Sequence, residues 1–181
     1  MTPRAQLQLL AQYNLWQNQN LYSAADRLPA VEVTLERGAF FGSIQGTLNH
    51  LAVADTIWLK RFATLPACKP ALERLNETPR PTRLDEPLFP DFASLRTYRH
   101  WLDGLIAHFA TEVPEEALSL SLTYANMKGV ESTRNLFALL MHFFNHQTHH
   151  RGQVSTLLSQ AGVDLGITDL LPIIPQVDVQ A

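Results

Sequence analysis

Apolar residues of this 181-residue chain recur about every 3.6 positions in four stretches, a spacing that predicts four long helices. Residues that favour helix ends lie between the stretches. Pro29 follows the first stretch, Asp91 is placed to cap the third, and Gly162 is placed to end the fourth. The predicted helices cover residues 7–28, about 40–62, 92–109 and about 132–161.

Two connections between these stretches have patterns of their own. Residues 66–90 hold six of the eleven prolines, which excludes a helix interior or a central strand and predicts a long, irregular surface loop. Alternation of apolar and polar residues over 118–124, followed by a turn at 126–129, predicts a short hairpin. We therefore expect an all-α protein, a four-helix bundle with one long crossover loop and a short hairpin before the last helix. It forms a single domain over residues 1–181.

Composition narrows the class of protein further. Hydrophobic residues make up 46% of the chain, enough for a substantial core, and a net charge of −3 does not suit a protein that coats nucleic-acid phosphates. The single cysteine, Cys68, cannot close an intrachain disulfide, so we expect a cytoplasmic protein. The longest apolar run, Leu136–Met141, is far too short to span a bilayer, and no membrane association is expected.

The histidines are concentrated in the fourth predicted helix. His142, His146, His149 and His150 fall within nine residues. On a helical wheel His146 and His150 lie one turn apart on the apolar side, whereas His149 lies on the polar side and His142 at the boundary. Two imidazoles at this spacing can bind one metal ion. The alternative is that they are ordinary buried histidines satisfied by hydrogen bonds.

A metal site needs a third ligand from another helix. His50 on the second predicted helix ranks first, narrowly ahead of Asp55, which lies in the middle of that helix's apolar stripe and is a rival ligand or a supporting partner. His100 precedes Trp101 and is expected at the surface. The remaining candidates are Asp26, Asp91 and His108.

Three sequence blocks resemble a known family. The string Asn145–Gln153 (NHQTHHRGQ) looks like the hallmark of the DinB superfamily of metal-binding four-helix bundles. The block Asn49–Phe62 resembles its second helix, and Tyr13–Asn18 is similar to its first-helix pattern. The resemblance extends to the tail, Gly166–Leu171, but not to the proline-rich segment or the third helix.

The resemblance implies a ligand set and a type of activity. Carried over by position, the metal ligands are His50, His146 and His150, and the ion is zinc or nickel. Family members are often homodimers, and those with a known reaction mostly transfer or isomerise small molecules with a low-molecular-weight thiol such as bacillithiol or mycothiol. The resemblance gives no reason to expect nucleic-acid binding.

Such a site supports two kinds of chemistry and also a function without turnover. Three neutral imidazoles leave an ion its full charge, so a bound water or thiol can ionise at neutral pH, for hydrolysis or for transfer to sulfur. The function is therefore a thiol-dependent transferase, a hydrolase, or a metal-binding sensor. Asp55, Tyr124 and His142 are candidate acids or bases, and Cys68 is expected to be a surface thiol rather than a nucleophile.

Overall fold

A computed structural model describes residues 1–176, and most of them are helical. A two-stranded antiparallel sheet precedes the last long helix. The elements are α1 (Pro3–Ala25), α2 (Ala30–Thr34), α3 (Ile44–Phe62), a 3-10 helix (Pro70–Glu77), α4 (Phe92–Glu112), a 3-10 helix (Glu115–Ser119), β1 (Ser121–Ala125), β2 (Glu131–Asn135), α5 (Leu136–Gln160) and a 3-10 helix (Leu171–Ile173).

The four long helices pack around one apolar core. α1 packs against α4 and α5, and α3 packs against the same two helices. Each long helix contributes fully buried side chains, among them Leu21, Leu48, Leu102 and Val154. The four predicted helical stretches therefore correspond to the four long helices, and the five-residue helix α2 is an addition that the apolar pattern did not predict.

Side-chain caps set where the long helices begin. Asp91 accepts a hydrogen bond from the Ser94 amide, which confirms the predicted cap of α4. Two other predicted starts were wrong. α3 begins at Ile44 rather than near residue 40, because Ser43 caps it immediately after Gly42, whose φ is +76°. α5 begins at residue 136 rather than near 132, because the residues before it pair in β2.

The helix ends differ from the prediction at α1 and agree with it at α5. α1 ends at Ala25, before Pro29, and Pro29 instead precedes α2. At the end of α5, Gly162 has a φ of +78°, the left-handed conformation that a glycine after a helix adopts. The predicted hairpin is confirmed, with Leu122 opposite Arg134 and Tyr124 opposite Ser132.

The proline-rich connection is more ordered than its composition predicts. Pro70–Glu77 forms a 3-10 helix, and Pro70 occupies its first turn, where a proline costs no hydrogen bond. The expectation that Cys68 is a surface thiol was wrong. Its side chain is fully buried in the core, and this burial raises the pKa of the Cys68 thiol to about 11.

A buried group of charged and amide side chains joins three of the long helices, and we call it the arginine network (Asn14, Asn18, Asp55, Arg99 and Asp103). Arg99 on α4 lies 2.5 Å from a carboxylate oxygen of Asp55 on α3 and 2.8 Å from one of Asp103. Asn14 and Asn18 on α1 donate to Asp103 at 3.0 and 2.8 Å. The network therefore explains why two asparagines interrupt the apolar stripe of α1.

The surface of the fold bears on association and on membranes. Phe143 and Phe144 are adjacent aromatic residues that cannot share one face of α5, but both are buried and so give no support for a dimer surface. Within residues 1–176, no helix is both long enough and apolar enough to cross a membrane.

Candidate metal centre

Three histidines from two helices converge at one point, and we call them the His triad (His50, His146 and His150). His50 lies on α3, and the other two lie one turn apart on α5. The Nε2 atom of His146 is 3.4 Å from Nε2 of His50 and 3.1 Å from Nε2 of His150. Within the described residues 1–176, this is the group of His, Cys, Asp and Glu side chains whose ligand atoms lie close enough to hold a metal ion.

The spacing of the Nε2 atoms fits a small divalent ion. Metal–nitrogen bonds of about 2.0–2.1 Å in a tetrahedral site place ligand nitrogens about 3.3 Å apart. The two Nε2 separations fall on either side of that value. The three side chains could therefore hold one ion without rearrangement and leave a coordination position open.

Oxygen acceptors fix the orientation of two of the rings. Nδ1 of His50 lies 2.9 Å from the Leu84 carbonyl oxygen, and Nδ1 of His150 lies 2.7 Å from Oε1 of Gln153. Each Nδ1 must therefore carry the proton and donate it, which leaves the lone pair on Nε2. A proton on Nε2 of His146 could be donated to only one of the other two Nε2 atoms. The arrangement of the three nitrogens therefore favours a cation between them.

The loop that supplies the Leu84 carbonyl is itself held by α3. Asn49, the residue before His50, donates from Nδ2 to the Glu86 carbonyl at 2.8 Å. Its Oδ1 accepts from the Leu88 amide at 2.9 Å. The proline-rich connection is thus attached to α3 beside the ligand, and it positions the His50 ring.

Burial keeps the triad neutral at physiological pH. Desolvation lowers the pKa of His50 to about 4, against a smaller opposing effect of the Leu84 carbonyl. Desolvation, together with the neighbouring histidines, lowers the pKa of His146 to about 3. The pKa of His150 is also lowered by burial. Neutral imidazole is the form that binds a metal ion, so the environment favours metal binding.

Phe41 covers one side of the triad. Its ring stacks on the His50 ring with centroids 3.8 Å apart, and it meets the His150 ring edge-on at 5.6 Å. A close backbone approach supports this position, because a Cβ atom added at Gly46 would lie 2.0 Å from the Phe41 carbonyl oxygen. Phe41 therefore excludes water from the His50 side of the site.

The triad is most exposed at His146. His146 is partly exposed and His142, one turn before it, is exposed, whereas His50 and His150 are buried. The rings of His142 and His146 lie 6.0 Å apart, and His142 contacts the edge of Trp58 at 5.3 Å. A molecule from solvent can therefore approach the triad along His142 and Trp58.

The other candidate residues lie outside the group of three. Asp55 is bound to Arg99 in the arginine network, and Asp91 caps α4. His149 is exposed. Its Nε2 lies 3.4 Å from Nε2 of Gln153, whereas Oε1 of the same amide contacts His150. The remaining candidates are exposed or pack elsewhere: Asp26 pairs with Arg96, His100 and His108 are exposed, and Tyr124 lies against Trp58.

Sequence reasoning found the histidines but missed the residues that orient and cover them. Gln153, three residues after His150, could have been found from the helical spacing. Leu84 acts through its backbone carbonyl, which no side-chain pattern reveals. Phe41 lies in a loop whose path depends on tertiary packing, so its stacking on His50 carried no sequence signal.

Comparison with known proteins agrees with the resemblance in the sequence motifs. The DinB family profile matches residues 1–175, a span that includes all three histidines. Protein DinB of Bacillus subtilis (strain 168) is 28% identical over 162 residues, which cover 88% of this chain and 88% of that protein. The chain belongs to the DinB family.

Proposed function

We propose that the protein binds one zinc or nickel ion through His50, His146 and His150 and is a metal-dependent enzyme that uses a low-molecular-weight thiol. The observation that carries the proposal is the convergence of three Nε2 atoms, two of which carry lone pairs fixed by Nδ1–H donation to oxygen. Three histidines and an open position form the ligand pattern of catalytic rather than structural zinc sites.

The chemistry follows from the donor set. A divalent ion held by three neutral imidazoles would keep its full charge and lower the pKa of a water or thiol that binds it. The protein's own contribution is to hold the rings, to keep them neutral by burial, and to exclude water on the Phe41 side. A second reactant would reach the ion from the side of the partly exposed His146 and the exposed His142.

The proposed reaction is transfer of an organic group to sulfur. A carbon–sulfur bond forms between the thiol and an electrophilic carbon, and the bond from that carbon to its leaving group breaks. The leaving group departs with the electron pair, the thiol proton passes to solvent, and no atom changes oxidation state. Cys68 takes no part, since it is fully buried and its raised pKa keeps it a thiol.

Two alternatives use the same ligands. A hydrolase would place water where the thiol is proposed, and a metal-binding sensor would have no turnover. The partly exposed His146 and exposed His142 support access to the site, which favours an enzyme over a sealed binding protein. Dependence on an added thiol separates the transferase from the hydrolase.

The first experiment measures metal content. We expect about one equivalent of zinc or nickel in the purified protein by mass spectrometry, and loss of that metal in His50→Ala, His146→Ala and His150→Ala. His149→Ala is the matched control on α5 and should keep its metal. Full metal in His146→Ala, or loss only in His149→Ala, would contradict the ligand assignment.

The second experiment measures turnover of a chlorodinitrobenzene-type electrophile and of an ester, each with and without added thiol. We expect thiol-dependent turnover of the electrophile by the wild type and Cys68→Ser but not by His146→Ala. Ester turnover without thiol would favour the hydrolase. Loss of activity in Cys68→Ser alone would end the proposal, and no turnover at all would favour the sensor.

We also propose a cytoplasmic homodimer. Exposed apolar side chains in and after α2, Val31, Leu35 and Phe40, support an association surface, and Phe40 is 87% exposed. Light scattering at micromolar concentration should give about twice the chain mass of 20.4 kDa. A particle of the monomer's mass would contradict the dimer.

A further inference from the structure

We propose that Arg61, held against the rings of Trp58 and Tyr124, binds a carboxylate of the molecule whose reactive end lies at the His triad. The inference rests on the proposed function, because it concerns the same reactant and says which residue binds the end farthest from the triad. It also specifies the class of that ligand, an organic anion long enough to reach from the triad to the hairpin.

The Arg61 side chain is held in a fixed position. Its guanidinium carbon lies 4.7 Å from the centre of the Trp58 ring and 5.1 Å from the centre of the Tyr124 ring. Nη2 donates to the Ala125 carbonyl at 2.8 Å. A guanidinium has five N–H donors, so others remain for a ligand, and a held guanidinium loses little freedom when a carboxylate binds.

The charge of Arg61 has no counter-charge in the described part of the chain. Five of the other arginines in that part of the chain form ion pairs with carboxylates, as Arg99 does with Asp55 and Arg37 does with Glu32. No carboxylate among residues 1–176 lies within 4.0 Å of the Arg61 guanidinium nitrogens. Arg61 is half-buried, and a partly desolvated cation of this kind is stabilised by an external anion.

A continuous surface joins Arg61 to the open side of the triad. The Trp58 ring lies under the guanidinium and also contacts His142 with centroids 5.3 Å apart. His142 in turn neighbours His146 at 6.0 Å. Arg61 therefore lies along the approach by which a molecule can reach the triad, rather than on a separate face.

The separation along α3 sets the size of the ligand. Trp58 is eight residues and Arg61 eleven residues after His50, which corresponds to roughly 12 and 16 Å along the helix axis. The arginine side chain bends back over Trp58, so the shorter span is the relevant one. Three extended residues span roughly 10 Å. A hydrogen bond from the guanidinium to the carboxylate adds about 2.9 Å, so a carboxylate-bearing molecule of tripeptide size can contact both ends, whereas a two-carbon thiol cannot.

The test measures binding of S-methylglutathione by titration calorimetry to the protein as purified. This probe carries carboxylates but no ionisable sulfur, so its binding does not depend on thiol chemistry. We expect Arg61→Gln to weaken binding at least about tenfold, and Arg61→Lys to weaken it less, because a charge without the planar fork remains. Circular dichroism checks that each variant is folded.

The matched control is Arg74→Gln. Arg74 lies 5.5 Å from the Trp101 ring centre, a similar stack elsewhere in the molecule, and its replacement should leave the affinity unchanged. The diesterified probe should bind the wild type and Arg61→Gln equally.

Wild type that fails to bind the probe, equal affinity of Arg61→Gln and wild type, or equal weakening by Arg74→Gln would overturn the proposal. Binding through Arg61 without any thiol-dependent turnover would instead overturn the transferase and leave this inference standing.

Discussion

Two groups of polar side chains lie among the same long helices, and they differ in how their charges are matched. In the arginine network, the Arg99 guanidinium lies between the carboxylates of Asp55 and Asp103, and asparagine amides donate to Asp103. In the His triad, three neutral rings direct nitrogen atoms at one another, and no carboxylate of residues 1–176 forms an ion pair with them.

The comparison separates the arginine network, whose charges are matched within the chain, from the His triad, whose nitrogen atoms could bind a cation. The arginine network contains its own counter-charges, and removing one member leaves the others buried without partners. The His triad has the nitrogen atoms for a cation but no counter-charge to lose, so we expect its members to be changed with less damage to the fold. α3 carries members of both groups, His50 and Asp55, five residues apart.

The largest effect is expected from Arg99→Met, which leaves Asp55 and Asp103 buried without their cation. We expect the free energy of unfolding to fall by about 3–5 kcal/mol, measured by urea denaturation of the metal-free protein. Arg96→Met is the control on the same helix. Its ion pair with Asp26 is exposed, and its loss should cost about 0–1 kcal/mol. Equal losses in the two variants would show that the buried arginine network holds the fold no more strongly than an exposed ion pair does.

An intermediate effect is expected from Gln153→Ala, which removes the oxygen that accepts the Nδ1 proton of His150. Loss of such an outer partner typically weakens metal binding about 10–100-fold. Competition with a chelator measures the affinity, and Gln160→Ala, an exposed glutamine near the end of α5, should leave it unchanged. An unchanged metal affinity in Gln153→Ala would mean that this hydrogen bond does not orient the His150 ring for metal binding.

Acidification is expected to change the free energy of unfolding with opposite signs in the two groups. Burial raises the pKa of Asp103 to about 6, above the value of about 3.9 in an unfolded chain. The folded protein therefore binds this proton more tightly, and the contribution of Asp103 to stability grows as the pH falls from 6 to 4. The pKa of His146 is lowered to about 3, below about 6.5 in an unfolded chain. Its contribution is therefore present above pH 6.5 and is lost as the pH falls toward 3.

Urea denaturation of metal-free protein between pH 4.5 and 7.5 measures both effects. The stability difference between wild type and Asp103→Asn should increase on acidification, and the difference between wild type and His146→Gln should decrease. Effects common to all three proteins cancel in these differences. If both stability differences changed in the same direction with pH, burial would not have opposite effects on Asp103 and His146.

The sequence predicted the parts of the site that depend on local periodicity. His146 and His150 could be assigned to the inner face of α5 because helical spacing fixes their direction. The spacing on α3 ranked His50 only narrowly ahead of Asp55, and the family resemblance then pointed to His50. The long helices and the hairpin were recognisable from their periodicity. Helix starts were less predictable at α3 and α5, where a cap or a strand replaced the first predicted turn.

Features that depend on distant contacts could not be predicted. The two asparagines of α1 interrupted an apolar stripe, but their partner Asp103 lies 89 and 85 residues away. Cys68 lies between Pro66 and Pro70 in the segment expected to be an irregular surface loop, and its burial results from packing of the 3-10 helix region against the core. The covering role of Phe41 likewise depends on where a loop meets another helix.

An ion bound by the triad would link metal supply to folding, because the members of the triad lie far apart along the chain. His50 and His146 are separated by 96 residues, so their nitrogens meet only after most of the chain has collapsed. An ion that binds the folded chain and not the unfolded one shifts the folding equilibrium by mass action, by about 2.7 kcal/mol when free ion is at 100 times the dissociation constant. The free-ion concentration in the cell would then determine the lifetime of the folded molecule against proteolysis.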